Sequence, residues 1–362
     1  MEKRKRSLAI DILNGSMWDK ILRYALPVAA TGILGQLFNA SDIAIVGNFA
    51  QGDTVAAVAA VGANGPVIGL LLNIFIGIAL GANVVIANAI GRGDSNTVSR
   101  AVHTSIVAAV LGGIIVGLLG QLLAEPVLSM LQVPEDVFPL ALKYMRIYLL
   151  GLPVIFLYNF EAAIFRSAGD TKTPLVALAL SGVLNVILNL FFVVVLNKTV
   201  DGVAIATVLA NVVSSVVLLR RLLRSELFIH VEFKNLRIDW KILWRILKIG
   251  VPAGIQGAVF SLSNIVVQSA INSLGKVTMA ASSAAFNVEV MAYYILNSFG
   301  QACTTFVGQN YGAGQIDRCR KALKLCLIES VIATACAVCI ALLSGKYLSL
   351  IHISEPTRLD VI

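Results

Sequence analysis

Ser181-Gly182-Val183-Leu184-Asn185-Val186-Ile187-Leu188-Asn189-Leu190-Phe191-Phe192 forms the middle of a stretch, residues 174–196, that contains no Asp, Glu, Lys or Arg. A helix of about 20 such residues crosses a hydrocarbon core of about 30 Å. Cutting the chain at its charged clusters gives nine apolar stretches of this kind, at 21–46, 56–88, 102–123, 143–165, 174–196, 202–223, 244–271, 279–307 and 322–349. The 362 residues are 58% hydrophobic and 13% charged, against about 45–50% and about 25% in ordinary globular chains. The sequence therefore predicts an all-α polytopic membrane protein. Seven per cent aromatics, without ten-residue alternating segments, argue against an outer-membrane barrel, and a secreted or nuclear protein is excluded.

The net charge is +8, and the placement of the 28 Lys and Arg residues explains it. If the N-terminus, with Lys3, Arg4, Lys5 and Arg6, is cytoplasmic, alternating loops place 22 basic residues on that side. Lys143, Arg146, Lys198, Lys276 and Lys346 fall on the other, with Arg358 in the tail. This is the positive-inside asymmetry of a multi-pass protein of the cell membrane, so the charge sets topology. Nucleic acid is not expected as a partner, because no basic stretch is interleaved with exposed aromatics. No short apolar segment ends in a small-residue cleavage site, so the first span is expected to stay in place. Cys336 and Cys339 form a CxxC inside an apolar helix with no histidine nearby. They read as small buried residues, and no metal site is expected.

The chain repeats itself. Ala25-Leu26-Pro27 and Gly250-Val251-Pro252 each follow a basic amphipathic lead-in, and an offset of 225 matches Pro27 with Pro252 and Asn39 with Asn264. Small gaps then bring Gly52 onto Gly275, Asn64 onto Asn287, and Gly91 and Gly93 onto Gly312 and Gly314. The repeat unit holds six spans, an even number, so the halves enter the membrane from the same side as parallel repeats. The expected organisation is a cytoplasmic segment 1–20, an N-lobe of six helices over 21–223, a linker 224–240, a partial C-lobe of three helices over 241–350, and a tail 351–362. The tail, polar and lacking helical periodicity, is expected to be non-native, a sequencing-adapter read-through after the ninth helix.

A charge at bilayer depth costs about 2.5–3.5 kcal/mol on insertion scales, so polar residues inside the spans are informative. Asp42 lies in the outer half of the first span, with Asn39 one turn before it and Gln36 one turn further back. Its carboxylate is expected to face the bundle interior, poised to take up a proton or ligate a small cation. Asn185 and Asn189, at i and i+4, can offer carbonyl oxygens to a cation or hydrogen-bond a neighbouring helix. Gln36, Asn64, Asn287 and Glu289 are further candidates for substrate or coupling contacts. Glu161 is expected to pair with Arg166, and Glu329 to be interfacial. Arg92-Gly93-Asp94 reads as turn chemistry.

Two segments resemble a known family. Phe165-Arg166-Ser167-Ala168-Gly169-Asp170-Thr171-Lys172-Thr173-Pro174 is similar to the R-x-x-G-D-x-x-x-P loop between helices four and five of multidrug and toxic-compound extrusion (MATE) transporters. Thr305-Phe306-Val307-Gly308-Gln309-Asn310-Tyr311-Gly312-Ala313-Gly314 resembles their T-x-F-V-G-Q-N-x-G-A-G segment. The resemblance implies two six-helix lobes forming a V, of which about nine of twelve helices are present. It implies an antiporter exporting cationic or amphipathic compounds against Na⁺ or H⁺, with no other cofactor and no catalytic residue. By the same resemblance Asp42 matches the first-helix acid of the N-lobe, Asn185 the asparagine beside it, and Glu289 an acid common in the eighth helix. Asn189 departs from the pattern, standing where many prokaryotic members carry aspartate, which leaves the coupling ion open. The expected partners are small organic cations or amphipathic drugs and membrane lipid, with the protein a monomer. A lipid-linked precursor flippase and a membrane receptor or scaffold are the alternatives. An enzyme is not expected, since neither H-E-x-x-H nor G-x-S-x-G occurs.

Overall fold

The computed structural model describes residues 9–225, 228–272 and 276–353. Among them the chain forms nine long helices: α1 Trp18–Phe49, α2 Thr54–Gly91, α3 Ser95–Met130, α4 Phe138–Ser167, α5 Lys172–Leu190, α6 Val200–Leu223, α7 Trp240–Asn272, α8 Lys276–Gly312 and α9 Ile316–Ile353. A five-residue π-helical turn, Phe191–Val195, continues α5. No strand occurs among the described residues. Eight of the helices contain a described segment long and apolar enough to cross a membrane. No such segment falls among the described residues of the eighth helix.

The helices outrun the apolar spans that mark them. Hydropathy locates only the part that meets hydrocarbon, whereas side-chain caps carry the backbone bonding further. Aspartates supply several caps: Asp53 Oδ1 accepts from the Ala56 N–H at 2.9 Å, Asp94 Oδ1 from Thr97 N–H at 2.9 Å, and Asp239 Oδ1 from Ile242 N–H at 3.1 Å. So Asp94, in the Arg92-Gly93-Asp94 tripeptide, is a helix cap, and the Thr97 hydrogen bonds hold its carboxyl below the usual carboxylate range. Helix α9 runs to Ile353, three residues into the predicted tail, and residues 354–362 lie outside the described residues.

The first three helices of each half correspond in length: 32 and 33 residues for α1 and α7, 38 and 37 for α2 and α8, 36 and 38 for α3 and α9. Pro27 and Pro252 both lie inside their helices. The halves meet along α2 and α7, where Gly77 and Gly81 face Gly250 and Gly254 so closely that a methyl group on any of them would overlap the opposing backbone. Small residues four apart permit this approach in a bilayer, where packing rather than water expulsion drives helix association.

Within the first half, α4 is central. Phe156 stacks on Phe75 of α2 with ring centroids 3.6 Å apart. A second cluster joins Ile12, Met17, Ile21 and Tyr24 to Phe299, Ala302 and Phe306 of α8 and Ala322 of α9. Leu118, Leu122, Leu150, Val183 and Ile187 are exposed on the outside. In water such a surface would be an aggregation patch, and in a bilayer it meets lipid tails.

Candidate functional site

Asp42 on α1 is 5% exposed and sits in a ring of side chains from three helices. Asn189 Nδ2 donates to Asp42 Oδ1 at 2.5 Å, and Thr207 Oγ1, from α6, donates to Asp42 Oδ2 at 3.1 Å. The Asn189 amide also reaches Asn185 Oδ1 at 3.3 Å, and Asn185 Nδ2 reaches Thr207 Oγ1 at 3.4 Å. Asn189 Oδ1 is buried with no hydrogen-bond partner. Two hydrogen bonds to a charged group are worth about 1.5–3 kcal/mol each, enough to offset the roughly 2.5–3.5 kcal/mol insertion cost of the acid. The ring can therefore hold a carboxylate away from water.

Helix packing places it there. Gly182 leaves room for the Phe38 ring, bringing α5 against α1 one turn before Asp42. The π-helical turn begins two residues after Asn189, a feature that recurs next to functional sites. Tyr144 and Tyr148 of α4, with ring centroids 6.2 Å apart, lie within electrostatic reach of the carboxylate. Thr207 carries no sequence signal beyond a hydroxyl in an apolar span, and reading acids and amides alone misses it.

The structure leaves other predicted residues elsewhere. Asn39 is exposed and donates to Gln36 Oε1 at 3.4 Å, not to Asp42. Asn64 is buried between α2 and α4, donating to the carbonyls of Ala60 and Ala141 at 2.7 and 3.0 Å. Glu289 is exposed, and the side chain of Asn287 lies outside the described residues. Two expectations are corrected. Glu161 is fully buried and accepts from Ser215 Oγ at 2.9 Å, while Arg166 donates to Gln301 Oε1 at 3.0 Å. Five residues along a helix amount to about 140° of rotation, so the two cannot share a face. Glu329, five residues from Lys324, is likewise 2% exposed rather than interfacial.

The two loop motifs meet where the halves close. Asp170 caps α5, accepting from Thr173 N–H at 3.0 Å and Thr173 Oγ1 at 2.6 Å, and Pro174 is buried in that first turn. Gln309 Nε2 donates to the Ser167 carbonyl at 2.7 Å. Thr305 Oγ1 bonds both Tyr24 Oη at 2.7 Å and Asn83 Oδ1 at 3.1 Å. Gly308 and Gly312 lie against Ala87 and Asn88 of α2, Asn310 accepts from Arg318, and Gly314 turns the chain into α9 with φ +73°. This seam lies at the end of the bundle that carries the basic residues. Eighteen residues of α1 separate Tyr24 from Asp42, about 27 Å of helix, which puts the ring towards the opposite end. There Leu37, Ile43 and Phe49 of α1 and Val259, Phe260 and Val266 of α7 are exposed. Side-chain hydrogen bonds between the halves thus gather at the basic face.

A cavity of about 1060 Å³ opens on the basic face between the end of α2 and helices α7, α8 and α9, well away from the ring. Its α8 wall includes Thr304, which the Gly91 to Gly312 match aligns with Asn83, the α2 residue that bonds the Ala163 carbonyl of α4.

Fold and site define a multi-pass helical membrane transporter. The MatE family profile matches residues 27–191 and again 252–359. The chain is 27% identical over 349 residues to "Probable multidrug resistance protein YpnP" of Bacillus subtilis (strain 168), covering 96% of this chain and 77% of that protein. It is 24% identical over 281 residues to "FAD transporter" of Shewanella oneidensis, covering 75% and 61%. Among solved structures it superimposes with a TM-score of 0.87, at 22% identity over 96% of this chain and 77% of the other, on "Outward-facing conformation of a multidrug resistance MATE family transporter of the MOP superfamily". The chain belongs to the MatE family, whose members are transporters and not enzymes.

Proposed function

We propose that the protein is a secondary antiporter of the cell membrane, with its basic face cytoplasmic, that exports cationic or amphipathic organic compounds in exchange for Na⁺ or H⁺. The observation that carries this reading is the meeting around Asp42 of polar side chains from α1, α5 and α6, with the buried Asn189 Oδ1 left over. Asp42, Asn185 Oδ1, Asn189 Oδ1 and Thr207 Oγ1 make a hard oxygen set suited to a small alkali cation, and Asp42 alone suffices for a proton. Either ion neutralises the carboxylate and draws the Asn189 and Thr207 side chains into new bonds. That changes how α1 fits against α5 and α6, so ion and substrate bias the same two-state equilibrium in opposite directions. Organic cations are favoured over pyrophosphate-linked substrates because the basic residues of the spans stay within five residues of a span end, leaving the middle of each without Lys or Arg.

The test is ethidium accumulation in cells expressing the protein, with sodium and proton gradients imposed separately. Efflux driven by one gradient identifies the ion. If neither gradient drives export of ethidium, the antiport reading fails, and FAD then serves as the second probe because one relative bears that name.

A further inference from the structure

We infer that residues 9–17 form a strap that holds the basic face of the bundle shut and must unseat before the lobes part there; this rests on the alternating-lobe reading above. The segment precedes α1 but belongs to neither lobe's helix bundle. It touches three separate elements at once. The Ile10 N–H donates to the Gly169 carbonyl at 3.1 Å, in the turn between α4 and α5. Ile12 and Met17, 1% and 2% exposed, sink into the cluster made by Phe299, Ala302 and Phe306 of α8 and Ala322 of α9. Arg318, at the start of α9, donates from Nη2 to the Ile12 carbonyl and from Nη1 to the Gly15 carbonyl, both at 3.2 Å, while its Nε is fixed by Asn310 Oδ1 at 3.0 Å.

Each end of the strap is prepared for it. Asp11 Oδ1 accepts from the N–H groups of Leu13 and Asn14, both at 3.2 Å, folding a tight turn whose carbonyls point outward. Lys20 Nζ takes the Asp11 and Asn14 carbonyls at 2.7 and 2.5 Å. On the receiving side Gly169 has φ +85°, and a Cβ there would lie 2.7 Å from the Ile10 carbonyl oxygen. A side chain at 169 would thus strain the turn and displace the strap together. Asn310 orients the guanidinium but does not touch the strap, so it is a positioning residue. Charge-assisted bonds to backbone carbonyls are strong when enclosed, yet they have no covalent backup, which suits a closure that must reopen in every cycle. Because the strap ties the α4–α5 turn to α8 and α9, it crosses the seam between halves, and separation of the lobes at this face must break it.

The experiment uses the intact protein in membranes, with the native cysteines replaced and Ile12→Cys introduced. Maleimide labelling of position 12 is expected to be at least tenfold slower than labelling of Asn14→Cys, which is exposed. Arg318→Gln should erase that difference and lengthen the distance between spin labels at Lys172 and Arg320, on opposite sides of the seam. Ile10→Pro, which removes the strap's donor to Gly169 without changing a residue of either lobe, should do the same in smaller measure and guards against misfolding of the Arg318 variant. Equal labelling of positions 12 and 14 in the parent overturns the strap. Release of position 12 without any change in the Lys172 to Arg320 distance also overturns it, since the segment would then be a tether with no hold on the lobes. Strap release on schedule in a protein that exports neither ethidium nor FAD would sink the transport assignment and leave the strap standing.

Discussion

The ring around Asp42 and the seam along the basic face use the same polar residue types to different ends. In the seam the partners come from opposite halves: Thr305 joins Tyr24 and Asn83, Gln309 joins Ser167, and Arg166 joins Gln301. In the ring every member comes from the first half, and a buried amide oxygen remains without a partner. Polar side chains in a bilayer hold helices together when their bonds are completed across an interface. They can bind an ion when several oxygens converge and one is unspent. A partnerless oxygen is not sufficient, since Asn64 Oδ1 and Glu161 Oε1 also lack partners, and it is the convergence that separates the ring from these.

Substitutions can break this distinction. Asp42→Asn should give the largest effect, loss of ion-coupled efflux with normal delivery to the membrane, read by dye accumulation and surface labelling; resistance equal to wild type would sink the coupling role. Next, Thr207→Val removes a donor worth about 1.5–3 kcal/mol to a charged acceptor, roughly a ten- to hundredfold change in ion affinity. Transport at graded sodium or proton concentration measures it, and the contrasting Asn39→Leu should stay near wild type. Gly77→Ala tests the close α2–α7 contact between the halves instead. Overpacking costs about 1–3 kcal/mol, so thermal stability in detergent should fall while Asp42 chemistry is untouched. The smallest effect belongs to Asp239→Asn. The Arg100 guanidinium holds the Asp239 carboxyl below its usual range, so its stabilisation is present above the unfolded carboxylate pKa and fades as pH drops through the lowered value. A partly exposed pair of this kind is worth about 0.2–1 kcal/mol, visible only as a slight narrowing of the melting difference between variant and parent towards acid pH.

Much of the ring was legible in the sequence for an energetic reason. An acid or a pair of amides inside an apolar span is expensive, and Asp42, Asn185 and Asn189 stand out on that ground alone. Thr207 did not, because a hydroxyl can be satisfied by its own helix and costs little. Asn39 is one turn from Asp42, yet the structure turns it outward to Gln36. Proximity along the chain misled again at Glu161 and Arg166, whose five-residue spacing puts them on different faces.

Composition and the spacing of apolar stretches determined that this chain is a bundle of membrane helices, because each span must satisfy its own backbone within the bilayer whatever its neighbours do. Which polar side chains from separate helices converge, which half supplies each hydrogen bond, and at which end the two halves exchange side-chain hydrogen bonds were decided only by tertiary packing. Those contacts join residues up to some 300 positions apart, and their geometry depends on helix rotation and close backbone approach that local sequence does not encode.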